Sequence, residues 1–403
     1  MSGHIATVPN TSRDLMPDLA RAFALIGIVL VNVELFSASL NSGYSATEVK
    51  SPGDAIAKLL VASFFTFKSY SLFSIMFGAG LGYQIASADR HDAPIKPIYF
   101  RRIFGLFILG VLHTVFLFLG DVLVTYACLG ALLYLFREMP AKRLFRWGGG
   151  MIAAQCVMLL SAAFMFGAAE NAVDPATAEQ FQASLDKAAI ASGWVDETFM
   201  NGGFSEVARA RVTLWPTILP SIIILQVIAA FGYFLIGLGL FKNGMISQPD
   251  HPFWKTARYA LLIPGLAISL FGALVYLSSE NRASASLFYG FFWMMLGSPF
   301  ASLGYLGWIA KLSMGTPGPV RRFFARAGSS SLTVYLLQSV VLSWVTLEYG
   351  LGLFMEISAR DAVLMALFTG LAIVVLISLW RLKFKRGPME ILLRRWTYLE
   401  ERL

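Results

Sequence analysis

His113 and Asp121 are the residues in this chain best placed for acid–base chemistry inside an apolar environment. Eight positions separate them, and Gly120-Asp121 reads as a tight turn between two apolar stretches. Helices joined by so short a turn pack side by side, so the two side chains share one end of a hairpin. A carboxylate beside an imidazole orients the ring and holds its tautomer, which suits a general base. The same residues also fit plainer roles, an interhelical hydrogen bond for the histidine and an N-cap for the aspartate. Asn32 could donate to a developing oxyanion or bridge two helices. Glu34, two positions on, points to another side of the same helix. Arg101 and Arg102 could hold the phosphates of a nucleotide-like cofactor, since guanidinium suits bidentate phosphate contact. They equally fit anchoring at a cytoplasmic membrane face. Asp18 and Arg21 are spaced to pair on one helix face, and Lys68, Gln226 and Gln338 complete the polar set within apolar runs.

The elements that position these residues follow from composition. The chain has 403 residues, 57% hydrophobic and 14% charged, whereas soluble domains carry roughly a quarter charged residues. A membrane helix needs about 20 apolar residues. Ten stretches approach that length: 21–40, 69–87, 103–119, 121–137, 147–168, 214–241, 258–278, 285–310, 329–348 and 362–380. The run 55–67 is shorter and reads as an interfacial or re-entrant piece, or as an extension of the second span. Prolines 216, 220, 264 and 299 interrupt spans six to eight. With the N-terminus inside, 24 of the 32 Lys and Arg fall in cytoplasmic segments and seven in outer ones, a bias that orients the protein. The expected fold is all-α: one polytopic membrane helix bundle over 1–403, with about ten spans, N-in and C-in. The +8 net charge is thereby assigned to topology and not to nucleic acid.

Residues 169–213 form the one long outer, periplasmic segment, with seven acids against three bases. It reads as a lid over an outward-facing pocket or as a connector, with short amphipathic helices around 178–191. Residues 381–403 read as a basic cytoplasmic tail whose amphipathic helix lies in the headgroup layer. Cys128 and Cys156 sit in apolar runs, and no spacing suggests a metal site. Gly78 and Gly82 have the G-x-x-x-G spacing of a close-packing membrane face.

Three ordered blocks give the chain a family likeness. The first is Asp18-Leu19-Ala20-Arg21-Ala22-Phe23-Ala24-Leu25-Ile26-Gly27-Ile28 with Val31-Asn32. The second runs from Lys68 through Phe73-Ser74 to Phe77-Gly78-Ala79-Gly80. The third holds Arg101-Arg102, Gly110, Leu112-His113, Gly120-Asp121 and Tyr126. The C-terminal half adds Gly328, Leu332-Thr333, Tyr335-Leu336, Gln338-Ser339, Gly387-Pro388, Glu390, Arg394-Arg395 and Thr397-Tyr398. Together they resemble the YeiB-like family of bacterial inner-membrane proteins, domain of unknown function 418. Ala22 and Val334 depart from its pattern. The opening block is also similar to a wider group of transmembrane acyltransferases, which take an acyl group from a cytosolic donor and acylate a sugar on the opposite face. That resemblance implies an active-site position for Asn32. The histidine which that group carries after its first span is absent here, since Val33 to Lys50 holds none. The expectation is an inner-membrane, acyltransferase-like enzyme with acyl-CoA docked at Arg101 and Arg102. His113 serves as base, oriented by Asp121, with Asn32 as polar stabiliser. The acceptor is a hydroxyl or amine on a small molecule, glycan or lipid. A transporter or exporter of a small polar or lipidic compound is the alternative, with Glu34, Lys68, His113 and Asp121 as a proton-coupled path.

Overall fold

A computed structural model describes residues 14–39, 49–279 and 284–399. Arg13, Arg282 and Arg402, counted in the charge bias above, lie outside the described residues. Among those described there is no strand, and eight helices are long and apolar enough to cross a membrane. Two shorter apolar helices, Leu123–Phe136 and Ser331–Thr346, complete the ten expected stretches. The protein is an all-α, multi-pass membrane bundle.

Helix α1 (Leu15–Ser37) lies at its centre, packed on α3 (Lys68–Arg90), α13 (Pro319–Gly328), α14 (Ser331–Thr346) and α15 (Ala359–Lys383). Its Ala20, Ala24 and Leu25 are fully buried. The first block of the sequence therefore folds as a core helix. Asp18 and Arg21 pair at 3.4 Å as their spacing predicts.

The short run before span two belongs to that span. Helix α2 (Pro52–Phe64) and α3 form one path of 39 residues, about 58 Å at 1.5 Å per residue. The path runs antiparallel to α1, with Lys58 3.9 Å from Glu34 at one end and Arg21 donating to the Met76 carbonyl at the other. It breaks at Phe67, whose φ of 65° is left-handed. The break exposes backbone acceptors inside the bundle, and polar side chains take them up. Lys68 Nζ donates to the Ala62 carbonyl at 3.1 Å, and Ser298 Oγ to that of Phe67 at 2.9 Å. Such pairing is what lets a broken helix persist in lipid.

Helix α4 (Ile95–Phe116) leads to α5 (Leu123–Leu133), which a 3-10 turn carries on to Phe136. The Leu123–Phe136 stretch is only about 20 Å long, short of the roughly 30 Å apolar core. The 120–121 turn is therefore drawn inward. It is covered by α7 (Pro175–Asn201) and α8 (Phe204–Ile222), whose Val195, Phe199, Val207 and Leu214 cluster with Leu119, Leu347 and Phe354. The segment expected to hold short helices is thus mostly two long ones.

The prolines act through helix register. A π-helical turn, Ile223–Val227, follows Pro220 and leads into α9 (Ile228–Lys242). Another, Ala257–Leu261, joins α10 (Pro252–Thr256) to α11 (Leu262–Leu277) just before Pro264. Proline removes a backbone donor, and a widened turn absorbs the mismatch. Pro299 lies inside α12 (Ala285–Ser313). Between them, α6 (Ala141–Glu170) packs on α9 and α12. The glycine face is as expected. A Cβ on Gly78 would strike the Phe234 carbonyl of α9, and one on Gly82 the Phe241 ring.

The C-terminal helix α16 (Pro388–Tyr398) docks on α4 and α14. Its Glu390 carboxylate accepts from the Leu332 and Thr333 amides at 2.8 and 3.2 Å and from Thr333 Oγ1 at 2.6 Å. Trp396 Nε1 donates to the Arg101 carbonyl at 2.8 Å. The tail is thus held by the start of α14 and by α4, with Leu393 and Thr397 buried, rather than lying free on the headgroups. Glu390→Ala leaves two amide donors without their acceptor and is expected to cost about 1–3 kcal/mol, read as a lower midpoint of thermal unfolding in detergent.

Candidate functional site

Among the described residues a cavity lies toward each end of the bundle. The inner one has an empty volume of about 1460 Å³ with the space at its mouth included. It lies at the end where α1 starts and α16 docks. Arg21, Arg102, Lys385, Arg386 and Arg394 line it, against one carboxylate among the described residues, Glu390, which α14 already engages. Gly80, Gln84, Ser329 and Ser331 add small and polar surface, while Phe73, Phe77, Leu106 and Leu332 supply an apolar floor. Cations around an apolar floor suit a ligand with phosphates at one end and a greasy group at the other.

The outer cavity, about 1030 Å³ counted the same way, sits toward the Ser37 end of α1. Asn32, Glu34, Lys58 and Gln226 line it with Phe65, Phe67, Tyr70 and Phe291. Among the described residues Glu34 is the one carboxylate in its wall. Gln226 reaches the wall from the π-helical turn after Pro220, a kind of distortion that recurs at functional sites. Lys58 is buried and faces Glu34 across 3.9 Å. Lys58→Met leaves the half-buried Glu34 without its counter-ion and is expected to destabilise the protein by about 3 kcal/mol. Adding Glu34→Gln should recover most of that loss in the same unfolding measurement.

Tyr126 lines both cavities. Its hydroxyl is 2.5 Å from Ser74 Oγ and donates to the Tyr70 carbonyl at 3.3 Å. Its ring stands edge-on to Phe77 and Phe234, with centroids 5.3 and 4.9 Å away. One side chain, held at its tip and on its faces, thus stands between two chambers.

His113 and Asp121 meet as their spacing predicts. His113 Nδ1 is 2.7 Å from Asp121 Oδ1, and Asp121 Oδ2 accepts from the Val124 amide at 2.9 Å. Asp121 therefore holds the ring and caps the start of α5 together. Both side chains are almost fully buried, and neither lines either cavity. Among the described residues the other ring nitrogen, Nε2, has no hydrogen-bond partner, and the ring lies 4.9 Å from that of Tyr335. Gly120 and Val122, on either side of Asp121, do line the outer cavity. Asn32 lines the same cavity without joining the His113–Asp121 pair. Arg102 lines the inner cavity, whereas Arg101 is not in its wall and contributes its carbonyl to Trp396. Gln338 ties α14 to α1 through the Leu25 carbonyl at 3.2 Å. The α7–α8 hairpin covers the 119–121 turn but contributes nothing to the described wall of the outer cavity.

Sequence comparison adds relatives to this geometry. Residues 240–400 match the family described as Protein of unknown function (DUF418). The uncharacterized protein YeiB of Escherichia coli (strain K12) is 24% identical over 402 residues, covering 96% of each chain. The chain is similar to that protein along nearly its whole length. Uncharacterized protein YxaH of Bacillus subtilis (strain 168) is 26% identical over 398 residues, 95% of this chain and 93% of its own. An uncharacterized 39.9 kDa protein from Bacillus acidopullulyticus is 35% identical over 130 residues, 31% of this chain and 34% of its own. No solved structure matches the chain. The DUF418 match takes in Lys385, Arg386, Glu390 and Arg394 of the inner cavity, while Arg21, Arg102 and Tyr126 lie outside it.

Proposed function

We propose that this protein is a transmembrane acyltransferase that takes an acyl thioester, such as acyl-CoA, from the cytoplasm and delivers the acyl group to an acceptor in the outer cavity. The observation that carries this reading is Tyr126, one residue common to a basic cavity and a mainly apolar outer one that holds Asn32, Glu34, Lys58 and Gln226. The bias of Lys and Arg toward the α1-start end supports a cytoplasmic position for the basic cavity. Five cations there suit the phosphates of the donor. The apolar floor leads its thioester end toward Tyr126. An acceptor hydroxyl or amine in the outer cavity attacks the thioester carbonyl carbon and gives its proton to Glu34. The C–S bond then breaks, and the sulfur leaves toward the basic cavity and takes up a proton from solvent. The Tyr126 hydroxyl gives up its hydrogen bond to the Tyr70 carbonyl and donates to the oxyanion instead, and Asn32 orients the acceptor. In this scheme Glu34 takes the base role expected of His113. The His113–Asp121 pair fixes the turn that carries Gly120 and Val122 into the outer wall.

Titration of purified protein with acetyl-CoA tests the reading. Saturable binding, competed by CoA but not by pantetheine, which lacks the phosphates, is expected. Absence of binding would remove the donor from the scheme. A transporter is the second reading, because a thin barrier between opposed cavities also suits alternating access. Uptake driven by a proton gradient, without acyl transfer, would favour it.

A further inference from the structure

A third concave surface lies outside both cavities, on the side of the bundle that faces lipid. Met139, Arg143, Arg146, Trp147, Gly150, Met151, Ala154 and Ile228 form an open groove between α6 and the start of α9. Trp147 is exposed, and farther along α6 so are Val157, Phe164 and Met165, as a helix facing acyl chains requires. We propose that this groove binds one anionic phospholipid, with its phosphate on Arg143 and Arg146 and an acyl chain laid along Gly150 and Ala154.

Three observations converge on that ligand. The first is charge. Arg143 and Arg146 are exposed at the basic end of α6. The neighbouring carboxylate, Glu138, is engaged by Arg137 at 3.3 Å. Lys242 Nζ donates to the carbonyl of Met139, at the groove's head, at 2.9 Å, which adds positive potential. Guanidinium pairs bind phosphate bidentately, and basic pockets between spans on the cytoplasmic side recognise anionic headgroups. The second is shape. A Cβ on Gly149 or Gly150 would meet nothing within 4 Å, so at Gly150 the helix surface is hollowed where a chain would lie. The third is length. From Arg143 to Ala154 the helix rises about 16 Å, close to half of the roughly 30 Å hydrocarbon core. A headgroup at the arginines therefore places one leaflet's chain beside Trp147, Met151 and Ile228. The proposal is independent of the acyl-transfer reading, since none of these residues lines either cavity.

Native mass spectrometry of the full chain, titrated with phosphatidylglycerol or phosphatidylcholine, tests it. Wild type is expected to retain phosphatidylglycerol in preference to phosphatidylcholine. Arg143→Gln with Arg146→Gln should weaken phosphatidylglycerol binding about tenfold. The discriminating variant is Gly150→Leu. It fills the groove, leaves every charge in place, adds its side chain to open space and improves helix propensity. It should lower phosphatidylglycerol occupancy severalfold with no fall in thermal stability. Arg321→Gln with Arg322→Gln, elsewhere on the basic face, should leave occupancy unchanged. Wild-type occupancy in Gly150→Leu, an equal loss in the Arg321/Arg322 control, or no preference for the anionic lipid would overturn the proposal.

Discussion

Arg102→Glu is expected to abolish measurable acetyl-CoA binding while leaving the fold intact. Arg102 shares the inner cavity with Arg21, Lys385, Arg386 and Arg394. A charge-assisted hydrogen bond to phosphate is worth about 1.5–3 kcal/mol. Removing one by Arg102→Gln should therefore weaken binding by about tenfold to a hundredfold. Reversal adds repulsion in a setting where charge is poorly screened, so its loss is larger. Arg101→Glu is the informative control. Its side chain is not in the cavity wall, so it should change affinity far less. Isothermal titration of the three variants, beside thermal unfolding curves, separates a lost contact from a lost fold. Equal losses for Arg101→Glu and Arg102→Glu would mean that general basicity, rather than the cavity, attracts the donor.

The largest stability effect should follow Gly237→Leu, which is expected to prevent recovery of folded protein. A Cβ at Gly237 would run into the Ile75 carbonyl, just as one at Gly78 would run into that of Phe234. The two glycines let α3 and α9 approach backbone to backbone, and a rigid carbonyl cannot move aside as a flexible side chain can. Overpacking of a membrane core ordinarily costs about 1–3 kcal/mol. Here a whole helix pair must separate, and α3 also carries Ser74 against Tyr126. Gly150→Leu, on an open face, is the matched control and should fold normally. Size-exclusion profiles of the two variants distinguish the outcomes, and a monodisperse Gly237→Leu peak would contradict the packing described.

The helical architecture was legible because hydropathy reports it directly. Length and composition carry each span, and Gly78 with Gly82 carries one interface. The His113–Asp121 contact was legible for a related reason: a turn between neighbouring apolar helices leaves few alternatives. The cavities were not. Glu34 lies in the first span and Lys58 in the run 55–67, and they meet because α2 and α3 form one broken span antiparallel to α1. The wall of the inner cavity unites Arg21, Arg102 and Arg394, each of which satisfies the positive-inside pattern alone. Tyr126 stands in an apolar run at the end of the third block, with nothing in its spacing to mark it as a wall residue. Only packing shows it facing two chambers. The docking of α16 was hidden for another reason. Glu390 is received by two backbone amides, which leave no trace in residue identity, and by the hydroxyl of Thr333, more than fifty residues away in sequence.

The central claim is passage of an acyl group from the basic cavity past Tyr126 to the outer one. Everted membrane vesicles, with the cytoplasmic face outward, test it directly when given labelled acetyl-CoA from outside. The account predicts label on an acceptor in the vesicle lumen with the wild-type protein and loss of that label with Glu34→Gln. Label that stays on CoA, or that enters the lumen equally with Glu34→Gln, would contradict it.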